Sequence, residues 1–353
     1  MEKIKRLRDT LKQREIDGLI VTNPFNRRYI SGFTGTAGVV LITQDKQLFI
    51  TDFRYMEQAT AQAVGYDVIE HKQSLIKKIA EIIEALNINN VGFEEDDMTY
   101  QTYKTYADEI GVDLIPTSGI IATIRMIKTE DELKIMEQAA AISDRAYEHI
   151  LTFVKPGMTE IEVSNELEFF MRQQGATSSS FDIIVASGKR SALPHGVATD
   201  KQIKTGELVT LDFGALYQGY CSDMTRTFAV GEISDELKNI YDTVLEAHLR
   251  GIKGTKPGMT GKEADALTRD YIKEQGYGEY FGHGTGHGLG MEVHEGPRLS
   301  PLGDIVLEEN MVVTVEPGIY VPDVGGCRIE DDIVMTKDGN RSLNKAPKEL
   351  IIV

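Results

Sequence analysis

A five-residue phrase, Lys155-Pro156-Gly157-Met158-Thr159, returns 101 residues later as Lys256-Pro257-Gly258-Met259-Thr260. Two further anchors follow each copy in the same order. His195-Gly196 stands against His294-Glu295-Gly296, an offset of 99. Leu208-Val209-Thr210-Leu211-Asp212-Phe213-Gly214 stands against Val312-Val313-Thr314-Val315-Glu316-Pro317-Gly318, an offset of 104. A turn phrase used twice is an ordinary coincidence; three anchors in one order at nearly constant offset are not. The repeat requires a region of two similar halves related by a pseudo-two-fold axis. Equivalent acids, Asp212 and Glu316, then meet near that axis. Each copy of the phrase opens an amphipathic helix, expected at 160–174 and 261–275.

The first 120 residues have a different texture. Gly18–Val21, Val39–Ile42 and Leu48–Ile50 are short apolar runs bounded by turn residues, the pattern of buried strands. Residues 91–93 and 114–116 read as further strands, and 74–87 and 98–110 have helical periodicity. The chain opens on a charged amphipathic helix with Ile4, Leu7 and Leu11 on one face. Thr129 and Glu132 form a capping-box pair at the head of a long helix reaching about Phe153. With 353 residues, two domains are expected: an α/β domain over 1–124 and the repeat-bearing domain over 125–353, without a flexible linker. The class is α/β (α+β). No GxGxxG or phosphate-binding loop occurs, so no nucleotide site is indicated.

The formal net charge of −17 argues against nucleic-acid partners, which need clustered Lys and Arg, and against anionic membrane surfaces. Two cysteines exclude a disulfide scaffold and suit a reducing cytosol. No apolar signal core is present and no run is long enough to span a bilayer, so the cytoplasm is the default location.

Three of the seven histidines fall in one stretch, His283-Gly284-Thr285-Gly286-His287 and then His294. Glycine at this density is incompatible with a helix interior, so the two histidines four apart are not a zincin helix. Glycines here let backbone approach closely. Asp212 ends an apolar strand, and Gly214 and Gly219 suit a hairpin that returns Asp223 to its side. Glu316 follows a buried strand, and Arg328, Glu330 and Asp332 share one strand face. Four acids on apolar strands need cations, because a buried carboxylate must be paired or metal-bound. Arg226 and Arg328 are expected to neutralise only part. Two divalent cations with a bridging hydroxide balance the rest, and oxygen ligands with one imidazole suit Mn²⁺, Co²⁺, Fe²⁺ or Zn²⁺.

The set Asp212, Asp223, His287, Glu316 and Glu330 resembles the five-ligand dinuclear site of the pita-bread metallopeptidases. Within them the chain is similar to the Xaa-Pro peptidases, prolidase and aminopeptidase P. The motifs that carry the likeness are Ser187-Gly188-Lys189-Arg190-Ser191-Ala192-Leu193-Pro194-His195, Asp212-Phe213-Gly214, residues 283–290, Val293-His294-Glu295, Glu316-Pro317-Gly318 and Arg328-Ile329-Glu330-Asp331. The resemblance covers the whole chain: a creatinase-like N-terminal domain and a pita-bread catalytic domain. It implies two divalent metal ions, Mn²⁺ first among them, with Asp212 and Glu330 bridging, Asp223 on one metal, and His287 and Glu316 on the other. It further implies catalytic roles for Glu316, as proton shuttle to the leaving proline nitrogen, and for His195 and His294, as donors to the peptide carbonyl. His195, His283, His294 and Arg328 would line the substrate cleft, with Arg328 orienting either Asp212 or the substrate's carboxylate. Tyr217, Tyr220 and Phe181 are either pocket walls or ordinary core, and Cys221 and Cys327 are expected to be buried small residues, not ligands.

The implied reaction is metal-dependent hydrolysis of the bond between an N-terminal residue and proline, in Xaa-Pro dipeptides first and in longer peptides as the alternative. The implied partners are a proline-containing dipeptide or short peptide and a second copy in a homodimer. A non-catalytic binding module is the competing class, disfavoured because all five ligand positions are filled. Methionine aminopeptidase is disfavoured by the N-terminal domain, and the metal-free creatinase by the complete ligand set.

Overall fold

The structure, a computed structural model, describes residues 2–353. The chain divides into two compact units, Met1–Arg125 and Met126–Val353. Met1, the start of the expected first helix, lies outside the described residues.

The first unit is built on six strands, β1 (Gly18–Val21), β2 (Val39–Thr43), β3 (Gln47–Thr51), β4 (Asp67–Glu70), β5 (Asn90–Glu94) and β6 (Asp113–Thr117), in the order β4-β3-β2-β1-β5-β6. β2 runs antiparallel to both its neighbours, β1 and β3, whereas β3–β4, β1–β5 and β5–β6 pair in parallel. Every residue of β1 and β2 is buried, which is why they read as unbroken apolar runs instead of alternating ones. Helices Leu75–Ala85 and Tyr100–Glu109 pack Ile79, Ile83 and Tyr106 onto Ile20, Leu41 and Val91. The opening helix, Glu2–Gln13, buries Ile4, Leu7 and Leu11. Elements beyond the sequence reading are short: helices Pro24–Ser31, Met56–Gln62 and Ile120–Met126, and the polar-ended edge strand β4. Such elements are held by tertiary packing and leave little periodic signal.

In the second unit the repeat is visible in the backbone. Helix Glu130–Phe153 precedes the first KPGMT phrase and helix Glu160–Gln173 follows it; Asp235–Gly254 and Gly261–Glu274 flank the second. Helices Glu160–Gln173 and Gly261–Glu274 both start with a capping box, Thr159/Glu162 and Thr260/Glu263. Gly157 N donates to Ile203 O at 2.8 Å and Ile203 N to Met158 O at 2.8 Å; Gly258 N donates to Leu307 O at 2.9 Å and Leu307 N to Met259 O at 2.7 Å. The same pair of bonds thus recurs in both halves.

The first half contributes β7 (Ser178–Ser179), β8 (Ile184–Ser187), β9 (Glu207–Phe213), β10 (Ala215–Tyr217), β11 (Tyr220–Cys221) and β12 (Met224–Val230). The second contributes β13 (Gly286–Gly288), β14 (Glu295–Leu299), β15 (Val312–Val315), β16 (Gly318–Val321), β17 (Gly325–Arg328), β18 (Asp331–Met335) and β19 (Asn340–Ser342). The principal sheets are β12-β9-β8 and β14-β13-β15-β18-β19. The expected hairpin is present: β9 and β12 pair antiparallel with Asp212 opposite Thr225. Its tip turns at Gln218 and Gly219, with φ of 49° and 87°, the left-handed pair that a two-residue turn requires. Gly214 serves a different purpose. A Cβ there would lie 1.7 Å from Ser222 O, so Gly214→Ala is expected to destabilise by at least about 2 kcal/mol, measured by urea denaturation. Among the described residues no helix is long and apolar enough to cross a membrane.

Candidate metal centre

Four strand ends and one glycine-lined strand supply the five expected ligands. Asp212 is the penultimate residue of β9, and Asp223 directly precedes β12. Glu316 directly follows β15, its N–H donating to Thr285 O at 2.7 Å. Glu330 lies between β17 and β18, its N–H donating to Thr225 O at 3.0 Å. His287 is central in β13. Cβ atoms on its neighbours Gly286 and Gly288 would each lie 1.9 Å from a backbone oxygen, of Thr314 and Gly296 respectively. The glycine-rich run is therefore a tightly enclosed strand, as its composition requires, and not a helix.

Ligand atoms of Asp223, His287 and Glu330 all lie within 4.8 Å of one another. His287 Nε2 is 3.7 Å from Asp223 Oδ2 and 3.4 Å from Glu316 Oε1. Its Nδ1 is 3.1 Å from Gly288 O. A carbonyl only accepts, so Nδ1 carries the proton and the Nε2 lone pair faces the carboxylates. Burial lowers His287 to about 4, which keeps the ring neutral. Burial, then Glu330 and Asp212, push Asp223 well above the ordinary carboxylate range. Burial, then Glu316 and Asp212, do the same to Glu330, and burial pushes Glu316 up to about 8. Asp212 Oδ1 and Asp223 Oδ1 are buried without a hydrogen-bond partner. A lone pair aimed at acids, and acids aimed at one another, are mutually repulsive until cations stand among them. The donor set, oxygen with one imidazole, fits divalent ions.

Residues 134–337 match the model of the family described as metallopeptidase family M24, and residues 3–127 that described as the creatinase/prolidase N-terminal domain. The chain belongs to metallopeptidase family M24. This M24 chain is 42% identical over 354 residues to a Xaa-Pro dipeptidase of Pyrococcus horikoshii, covering 99% of each. A solved Xaa-Pro dipeptidase from Bacillus anthracis superposes with a TM-score of 0.99 at 61% identity, covering 100% of this chain and 99% of that one. A solved X-Pro aminopeptidase from Thermotoga maritima superposes with a TM-score of 0.93 at 40% identity, covering 99% and 100%. The α/β architecture is thus a creatinase-type N-terminal domain followed by an M24 pita-bread domain, and membership of a metallopeptidase family implies divalent metal ions.

The remaining expected site residues of this M24 chain differ in their surroundings. His294 is exposed, its ring centroid 4.4 Å from that of His287. His195 is exposed on the loop after β8. His283 donates from Nδ1 to Gly284 O at 2.8 Å and accepts at Nε2 from Tyr320 OH at 2.8 Å. Burial, then the charge of Arg328, lower it to about 4. Arg328 is buried and donates to Asp212 Oδ2 at 2.5 Å, to Tyr320 OH at 2.7 Å and to Thr225 Oγ1 at 3.1 Å.

Arg226 departs from expectation. It pairs with Asp331 at 2.8 Å and donates to the carbonyls of Thr225, Glu330 and Ala346. It therefore braces the strand behind the four acids instead of neutralising them. Tyr220 donates to Glu132, and Tyr217 packs on the first half's core. Cys221 and Cys327 are free and buried, and burial pushes both thiols up to about 12.

Four supporting residues were not singled out by sequence reasoning for these contacts. Thr225 Oγ1 donates to Glu330 Oε2 at 2.6 Å, and Thr314 Oγ1 to Glu316 Oε1 at 3.3 Å. Asp332 accepts from Asp223 N at 3.0 Å. Tyr320 links Arg328 to His283. Thr314 had a signal, since the repeat sets it against Thr210; Tyr320 had none.

Proposed function

We propose that this chain hydrolyses Xaa-Pro dipeptides, with residues 1–124 as the N-terminal domain and 125–353 as the catalytic one. The observation that carries the reading is the convergence of Asp223, His287 and Glu330 within 4.8 Å, in a chain that matches a Xaa-Pro dipeptidase end to end. Asp212, Asp223, His287, Glu316 and Glu330 would hold two divalent cations, Mn²⁺ ahead of Co²⁺, Zn²⁺ or Fe²⁺. When bound, these ions supply Lewis acidity and lower the pKa of water. Glu316 takes up a proton on its carboxylate and delivers it to the proline nitrogen, which carries no hydrogen of its own in the tertiary amide. His195 and His294 donate to the scissile carbonyl oxygen as negative charge develops there. Arg328 keeps Asp212 oriented, which leaves its guanidinium committed within the protein. His283, bonded through Tyr320 to Arg328, lines the cleft. A cytoplasmic homodimer completes the reading.

The likeness to the X-Pro aminopeptidase structure favours a second reading, action on longer peptides. Hydrolysis of Ala-Pro and Ala-Pro-Ala by Mn²⁺-loaded protein separates the two. The expected result is a preference for Ala-Pro of about tenfold or more in kcat/KM. Preference for the tripeptide would move the assignment to the aminopeptidase, and cleavage of neither would favour a binding module.

A further inference from the structure

Helix Glu160–Gln173 opens on a carboxylate with no solvent exposure. Glu160 has no part in capping that helix, because Thr159 and Glu162 already form the capping box. All its side-chain partners lie in one segment, residues 187–199. Oε1 accepts from Ser187 N at 2.9 Å and Ser187 Oγ at 2.8 Å. Oε2 accepts from Thr199 N at 3.1 Å, from Thr199 Oγ1 at 2.8 Å and from Arg190 Nη1. Arg190 in turn donates from Nη2 to Val197 O at 2.8 Å. One buried acid thus ties down both ends and the middle of the loop whose tip carries the exposed His195.

The second half shows that the helix start does not itself need this acid. The backbone bonds Glu160 N to Lys201 O and Ile161 N to Thr199 O recur as Gly261 N to Ile305 O and Lys262 N to Gly303 O. Glycine therefore stands where Glu160 stands, and a Cβ on Gly261 would lie 1.9 Å from Arg298 O. The chain from His294 to Gly303 is longer than that from His195 to Thr199, and its own backbone fills the space. The shorter His195 loop leaves that space to a side chain. Burying a carboxylate there is costly without full pairing, and the pairing is spent entirely on the His195 loop.

We propose that Glu160 is the positioning residue for His195 in the hydrolytic reaction, an inference that rests on the assignment of His195 as a donor to the scissile carbonyl. Glu160→Gln keeps the shape but turns an amide NH₂ toward donors, and loosens the loop. In Mn²⁺-saturated protein, kcat for Ala-Pro is expected to fall about 10- to 100-fold with little change in KM. Trypsin cleavage after Arg190, followed by mass spectrometry, is expected to accelerate, while Mn²⁺ titration by calorimetry and the circular dichroism spectrum stay unchanged. In a His195→Ala background the same substitution should cost less than about twofold, because the histidine it serves is gone. Equal losses in both backgrounds, or unchanged kcat and cleavage in folded E160Q, would overturn the proposal. Thr199→Val, which deletes one donor, carries the same test at smaller amplitude if E160Q does not fold. A His195→Ala protein with unimpaired kcat would instead sink the His195 assignment, and the proposal with it.

Discussion

Glu316→Gln is expected to lower kcat for Ala-Pro by about 10²- to 10⁴-fold, the range for loss of a general acid–base group, with the fold intact. The amide is nearly isosteric and its oxygen still accepts from Thr314 Oγ1, the 3.3 Å contact of the native carboxylate. It does not take up or release a proton in the working pH range. Glu316 also belongs to the proposed ligand set, so weaker metal affinity is expected alongside the kinetic loss. Titrating Mn²⁺ to saturation separates the two: recovery of kcat at high Mn²⁺ would show a ligand without a proton-transfer role. A persistent loss with an unchanged circular dichroism spectrum is the expected outcome.

Removal of metal is expected to lower Tm, and to lower it more as pH rises. In the metal-free protein Asp223 and Glu330 are pushed well above the ordinary carboxylate range, and Glu316 up to about 8 from 4.5. Between the ordinary and the raised value the folded chain binds more protons than the unfolded chain, so stability falls as pH increases. For Glu316 that window runs from about 4.5 to about 8. Chelator-treated protein should therefore lose Tm steadily from pH 5 to pH 8. Mn²⁺ at a hundred to a thousand times its Kd contributes about 3–4 kcal/mol by mass action, or roughly 10 °C for a unit of this size. Scanning calorimetry with and without Mn²⁺ at both pH values checks this. A metal-free Tm that is flat with pH, or equal to the Mn²⁺-loaded one, would count against a cluster of buried acids awaiting cations.

Much of the site is legible along the chain because its geometry is local. Side-chain alternation places Thr210 and Asp212 on one face of β9, and a Gly219 turn returns the chain so that Thr225 stands opposite Asp212. The repeat then carries the logic of the first half to Glu316 in the second. Helix starts at Thr129, Thr159 and Thr260 are visible as capping boxes within four residues. Glycine density alone rules the HGTGHG run out of a helix, and β13 is the result. Helix Asp235–Gly254 precedes the second KPGMT phrase as Glu130–Phe153 precedes the first, so the repeat held information about it that periodicity had not supplied.

The partners of buried charges were not legible in this way. Arg226 follows Asp223 by three residues and Arg328 precedes Glu330 by two, yet one serves Asp331 and the other Asp212. Both contacts join residues more than 100 positions apart. Glu160 follows a capping threonine and reads as an ordinary first-turn acid, until the packed loop brings Ser187, Arg190 and Thr199 onto it. The sequence by itself determined the two-half architecture, through its repeat, and the helix starts and strand faces on which the candidate acids lie, because strand alternation, capping and turn conformation act over a few residues. Only the tertiary structure decided which cation meets which carboxylate and which threonine or tyrosine orients it. Those choices depend on where remote strands come to lie side by side, and that is settled by packing summed over the whole unit, not by any short stretch of chain.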